Sequence, residues 1–276
     1  MKLLRILGWL FLFSFLTILT QIGGLILLLL LPVFYFINLK IKHSITRNLI
    51  KITFSILFYN LITFLVIPMI AAPFGRVPLP VFSNKYVKPA NIGYCLLNRH
   101  YVKPALKEAM ERSAEEMNII FPGTKIYYLD ANFPFWNEFP LLPHLSHDDG
   151  KKLDISFFYM DKKSGKPSNS KPSFTGYGVF ESPREEEINQ TDLCKSKGYW
   201  QYDINRFMGL IHRKHQFLFD EKRTKTFIQI LTRESQVHKI LIEPHLKTRM
   251  KLTNNKIRFH GCQAARHDDH LHIQIK

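Results

Sequence analysis

Acidic residues are missing from the first 76 positions of this 276-residue chain, although 22 occur further on. The bases in that stretch are Lys2, Arg5, Lys40, Lys42, Arg47, Lys51 and Arg76. Charge of either sign is absent from Ile6 to Leu39 and again from Ile52 to Ala72. Runs of about 20 apolar residues cross a bilayer as helices, which excludes an ordinary soluble fold for this region. Signal h-regions are only about 7–15 residues, so the first run is too long for a cleaved leader, and a second span follows it. Cysteine is scarce: Cys95, Cys194 and Cys262 show no C-x-x-C spacing, which argues against a cysteine-built metal site. One disulfide can form among them outside the membrane, with the pair left open. No compact Arg/Lys run is interleaved with aromatics, so nucleic acid is not expected as a partner. No internal repeat is present.

The first apolar run suits either one crossing with overhang or a hairpin of two short crossings bent at Gly23-Gly24. With the second run, residues 1–75 form a transmembrane region of two spans, or three if the hairpin forms. Short loops rich in Lys and Arg stay in the cytoplasm. Residues 40–51 are such a loop, which puts everything after about residue 74 outside. Lys2 and Arg5 also prefer the inside, and this favours the hairpin. Pro73, Gly75, Pro78 and Pro80 break the last helix, and 76–90 reads as a linker to a domain over 91–276. Beyond residue 76 the chain carries 31 bases against 22 acids. A basic domain beside a membrane suits anionic lipid or an anionic wall polymer, and a merely solvated basic surface is the simpler account.

Within that domain, Lys103 to Met117 predicts an amphipathic helix with Pro104 in its first turn. Lys125–Leu129 and Leu153–Met160 read as strands. Residues 163–196 form a long excursion rich in turn formers, of the kind that is disordered or belongs to a binding site. Helices are expected over Asp203–His215 and Glu221–Glu234, and strands over Val237–Ile242 and His270–Ile275. Strands and helices mix without a βαβ rhythm, so the expected class is α+β on an antiparallel sheet.

Two segments carry chemistry. One is His144-Leu145-Ser146-His147-Asp148-Asp149-Gly150, leading into Leu153-Asp154-Ile155-Ser156-Phe157. The other is His267-Asp268-Asp269-His270-Leu271-His272. Side chains at i and i+2 of a strand share a face. His270, His272 and Gln274 therefore oppose Leu271, Ile273 and Ile275, while Asp154 and Ser156 oppose Leu153, Ile155 and Phe157. A carboxylate and imidazoles projecting from neighbouring strands can converge on one ion, with His147 delivered by the loop that Gly150 turns. Three such ligands with an open fourth position make a catalytic zinc site. A single histidine on a polar strand face is more often a surface residue, and two clusters with matching spacing weigh against that. His100, His212, His215, His238, His245 and His260 lack such a pattern and read as surface or core residues.

The spacing His147-x6-Asp154 with a late His270-x-His272 resembles the metal signature of the lysostaphin, D-Ala-D-Ala peptidase and hedgehog-like group. His144 and His267 narrow the resemblance to the penicillin-insensitive murein endopeptidases. The similarity covers roughly residues 90–276 and is specific at the two motifs. The membrane anchor, the long loop, Pro143 in place of a glycine and Lys152 in place of a second carboxylate depart from the pattern. By resemblance, His147, Asp154 and His272 would bind zinc, and His270 would act on the attacking water. His144 and His267 would line the site. Asp269 is the alternative base, and Asp268 or Asp269 could instead hold an imidazole in the right tautomer. The implied substrate is the peptide cross-bridge of peptidoglycan, met on the outer side of the bacterial cytoplasmic membrane. Alternatives are a D,D- or L,D-carboxypeptidase, which would need a cation such as Arg99 or Arg258, and a zinc-bearing wall-binding domain without catalysis.

Overall fold

The computed structural model describes residues 2–276. Three apolar helices open the chain: Lys2–Thr20, Gly23–Lys40 and a long one running from Ser44 to Phe74. At 1.5 Å per residue, the 18 residues of the second helix reach about 27 Å, close to the thickness of a bilayer's hydrocarbon core. The first two helices form a hairpin. Gln21 makes the bend with φ of 67°, and Gly23 and Gly24 lie directly beyond it. A Cβ on Gly24 would fall 2.1 Å from the Thr17 hydroxyl and 2.8 Å from the Phe13 carbonyl, so only glycine permits this approach. The expected basic loop over 40–51 shrinks to Ile41–His43, because Ser44 to Lys51 already belong to the third helix. The His43 ring caps that helix by accepting from the Thr46 N–H.

The domain is docked on these helices. Gln21 accepts a hydrogen bond from the Phe135 backbone at 2.9 Å, and Tyr59 donates to the Leu96 carbonyl at 2.6 Å. Ile22, Ile26, Leu30, Ile67 and Ala71 pack with Tyr101 and Phe135 in one apolar cluster. Residues 76–90 are therefore part of the domain rather than a linker. Val77–Pro78 pairs with Tyr101–Val102, Val87–Pro89 forms an edge strand, and Leu79 and Val87 are core residues. Proline still obeys its rule there, since edge strands tolerate a missing donor.

The class is α+β. The main sheet runs, edge to edge, Ile257–Arg258, Val237–Leu241, His270–Ile275, Lys152–Ser156, Ile126–Tyr128 and Val87–Pro89. Its centre is antiparallel as expected, while each edge strand pairs in parallel with its neighbour. The Leu153–Met160 strand divides. Lys152–Ser156 stays in the main sheet, and Tyr159–Asp161 joins a small sheet with Pro167–Ser168 and Phe217–Phe219. The aromatic pair Phe157 and Phe158 is buried at the crossing point.

Helix Pro104–Ile120 begins with proline at a position that needs no N–H donor, and it buries Leu106, Met110, Ala114 and Met117. Helix Glu221–Arg233 is capped by Asp220, which accepts from the Arg223 N–H, and buries Phe227, Ile228 and Leu231. Both faces pack against Leu153, Ile155, Leu271 and Ile273 in one core. The opposite sheet face is left for polar residues. Asp203–His215 is not an α-helix: residues Trp200–Gly209 form 3-10 turns, and Leu210–Arg213 have no helical structure. Gly178 backs directly onto Gly209 there, and a Cβ on either would fall under 2.5 Å from the other's backbone. Cys194 and Cys262 form the disulfide, and Cys95 is buried and free.

Candidate metal centre

Cross-strand register builds the site. In the antiparallel pair of the two central strands, His272 lies directly opposite Asp154, Leu271 opposite Ile155, and His270 opposite Ser156. The histidines and Asp154 thus share the sheet face away from the core, as strand alternation requires. His147 comes from the preceding loop. Arg76, fully buried at the end of the third helix, clamps that loop by donating to the Phe133 carbonyl, to Asn137 Oδ1 at 2.6 Å and to the Asp148 carbonyl at 3.0 Å. Gly150, at φ 80°, turns the chain against the same guanidinium.

Three electron-pair donors meet. His272 Nδ1 is 2.8 Å from Asp154 Oδ1 and 3.1 Å from His147 Nε2, and the latter two atoms are 3.3 Å apart. All three side chains are buried. His147 donates its Nδ1–H to the Ala131 carbonyl at 2.8 Å, so its Nε2 presents a bare lone pair. A carboxylate oxygen and two imidazole nitrogens set this close form a group that could hold a metal ion. Ligands about 2.0–2.1 Å from a tetrahedral zinc ion are separated by about 3.3–3.4 Å, so the observed triangle fits with adjustments of about half an ångström. Burial alone would push the Asp154 carboxyl up, but His147, His270 and His272 hold it well below its ordinary value. Burial, helped by His147 and His270, takes His272 down to about 4 against the pull of Asp154, which leaves the ring neutral and able to offer a lone pair.

The neighbouring residues are fixed in turn. His270 gives its Nδ1–H to Asp269 and turns Nε2 toward the site, 3.6 Å from Asp154 Oδ2. Asp269 is fully buried and also accepts from the Gly178 N–H at 2.6 Å, so it orients His270 and does not itself reach the metal ligands. Asp268 instead pairs with Arg266. His144 donates Nδ1–H to Asp130 at 2.8 Å, while its Nε2 is buried without a partner. His267 is buried, with ring centroids 4.7 Å from His270 and 5.6 Å from His272. Together with Pro143, Ser146, Gln201, Asn205 and Gln263, these histidines line a cleft of about 350 Å³. Arg99 is spent on Asp130 and the Leu142 carbonyl, and Arg258 donates to the Asn255 carbonyl; neither lines the cleft.

Tyr177 was not legible from sequence. It comes from the long 163–196 excursion, and its hydroxyl donates to Asp154 Oδ2 at 2.7 Å while accepting from the Asp130 N–H at 3.2 Å. A lone tyrosine among glycines in an irregular loop has no periodicity to mark it. Glu243 and His260 carry no motif in the sequence, and they group with His267 as a second set of donors. No family model matches this chain, and no curated protein shows significant similarity to it.

Proposed function

We propose that the chain is a membrane-anchored zinc hydrolase that cuts the peptide cross-links of peptidoglycan on the outer side of the bacterial cytoplasmic membrane. The observation that carries this reading is the convergence of His147, Asp154 and His272 beside a histidine held by its own carboxylate. Orientation of the domain is supported by the hairpin, which lets Lys2, Arg5, Lys40 and Lys42 all stay inside. The Cys194–Cys262 disulfide agrees with an oxidising compartment.

When bound, zinc polarises a carbonyl and brings the pKa of water to about 7. The protein's own groups then place and move the proton. His270 Nε2 faces the cleft to take a proton from the attacking water and return it to the departing amine. Asp269 keeps the opposite nitrogen protonated. Burial by itself would lower His270, but Asp269 and Asp154 together lift it to about 9. Positive charge on the Asp154 ligand set offsets part of that pull and brings the ring back toward the range of a general base. His144 and His267 line the cleft beside His270. A cleft without Lys or Arg favours an endopeptidase, because trimming a terminal carboxylate calls for a cation there.

The test is digestion of purified muropeptide dimers by the full chain in detergent, with and without chelator. Dimers cut only when metal is present uphold the proposal. Trimmed monomers would assign a carboxypeptidase, and intact substrate with retained zinc would assign a binding domain. His272→Ala is expected to lose zinc and cleavage together. His270→Ala is expected to keep zinc and lose cleavage, and full activity in that variant would refute the role given to His270.

A further inference from the structure

We propose that Glu243, His260 and His267 form a second site for a zinc-class divalent ion, sharing a wall with the first. Their donor atoms lie within 4.8 Å of one another. His260 Nε2 is 3.3 Å from Glu243 Oε1, and the His260 and His267 rings are 4.2 Å apart. The Glu243 and His260 side chains are 2% and 4% exposed, and His267 as a residue is 8% exposed.

Topology brings these residues together. Val237–Leu241 runs antiparallel to His270–Ile275, so Glu243, two residues beyond its end, arrives beside the start of the last strand. Ile257–Arg258 runs parallel to Val237–Leu241 and delivers His260 to the same end. The Glu243 N–H donates to the His267 carbonyl at 3.3 Å, and the His267 N–H donates back to Glu243 Oε1 at 2.8 Å. Glu243 and His267 are thereby pinned before any ligand arrives.

Hydrogen bonding within the cluster does not complete it. Glu243 is satisfied, with Tyr202 donating to Oε2 at 2.6 Å. The Nδ1 atom of His267, however, is buried with no partner, and His260 Nε2 reaches Glu243 Oε1 only at 3.3 Å. Leaving such a group unpaired costs about 1–3 kcal/mol, and buried polar atoms seldom remain so without a water or ion to meet them. Imidazole with a carboxylate suits zinc and neighbouring transition metals, whereas calcium and magnesium take oxygen ligands. Tyr202 stands where a group outside the coordination sphere orients a carboxylate ligand. His267 has both centres within reach of its ring, which gives it the role of ligand to the second ion. This site does not require the first to be catalytic.

Zinc per chain is to be measured by mass spectrometry after equilibrium dialysis of the full protein in detergent. The expected stoichiometry is two for the native sequence, one for His260→Ala, one for Asp154→Asn, and none for the pair combined. Glu243→Gln is a near-isosteric second variant, with a melting curve as the control for its folding, and it too is expected to bind one. A single ion in the native protein, lost in Asp154→Asn and unaffected by Glu243→Gln, overturns the second site. A single ion that survives Asp154→Asn and is lost in Glu243→Gln upholds this site and removes the proposed function instead.

Discussion

Replacing Tyr177 by phenylalanine removes one oxygen from the protein and tests how the proposed metal ligands are held. The hydroxyl donates to Asp154 Oδ2 at 2.7 Å, leaving Oδ1 to face His147 and His272. A hydrogen bond to a charged group contributes about 1.5–3 kcal/mol, which corresponds to about ten- to a hundredfold in a binding constant. Loss of a group that orients a metal ligand weakens metal affinity by the same 10–100-fold range, reached from independent measurements. The Asp130 N–H also loses its acceptor, which adds to the cost. Phenylalanine keeps the ring against His144 and His270, both 4.9 Å away, so the loop stays packed. Zinc affinity is to be read by competition with a fluorescent chelator on the full protein, with a melting curve of the metal-free form as the control for folding. An affinity within twofold of the native protein, when Asp154→Asn abolishes binding, would refute the argument that Tyr177 sets the carboxylate.

Further expectations concern stability and assembly. Reducing the Cys194–Cys262 bond, which closes a loop with a sequence separation of 68, is expected to lower the unfolding free energy by about 4 kcal/mol, read from denaturant curves with and without reductant. Glu187 is held down to about 2 chiefly by its hydrogen bonds with Arg249. Its folded value lies below its unfolded one, so it contributes stability above about pH 4.5, lost as pH falls from there toward 2. Glu187→Gln should therefore reduce the melting temperature at pH 7 and flatten its decline over that acid window; parallel profiles for both proteins would count against the pair. Gly24→Ala drives a methyl into Thr17 and the Phe13 backbone, and is expected to destabilise the hairpin by about 1–3 kcal/mol. An unchanged melting curve in detergent would show that the two helices do not approach so closely.

Local periodicity was enough to place the helices starting at Pro104 and Glu221 and the His270–Ile275 strand, because each such element announces its own buried face, while charge-free length marked the apolar region but left open whether residues 6–39 cross once or twice. It was also enough to bring out Asp154, His270 and His272 as residues on polar strand faces. Leu210 to Arg213 misled because scattered apolar residues imitate a helix where the close Gly178–Gly209 contact dictates irregular backbone. Residues 76–90 misled because proline punctuates an edge strand as readily as a linker.

What the amino-acid order determined by itself is which side chains face away from the core on each strand, and that the charge-free N-terminal region is apolar and long enough to cross a membrane. Tertiary structure alone decided that His272 sits opposite Asp154, 118 residues away in the chain, and that Cys194 meets Cys262. It alone brought Tyr177 from an irregular loop onto the carboxylate, and Glu243 and His260 beside His267. The physical reason is that alternation depends only on neighbours in the chain, whereas strand register and loop placement follow from how the whole core closes.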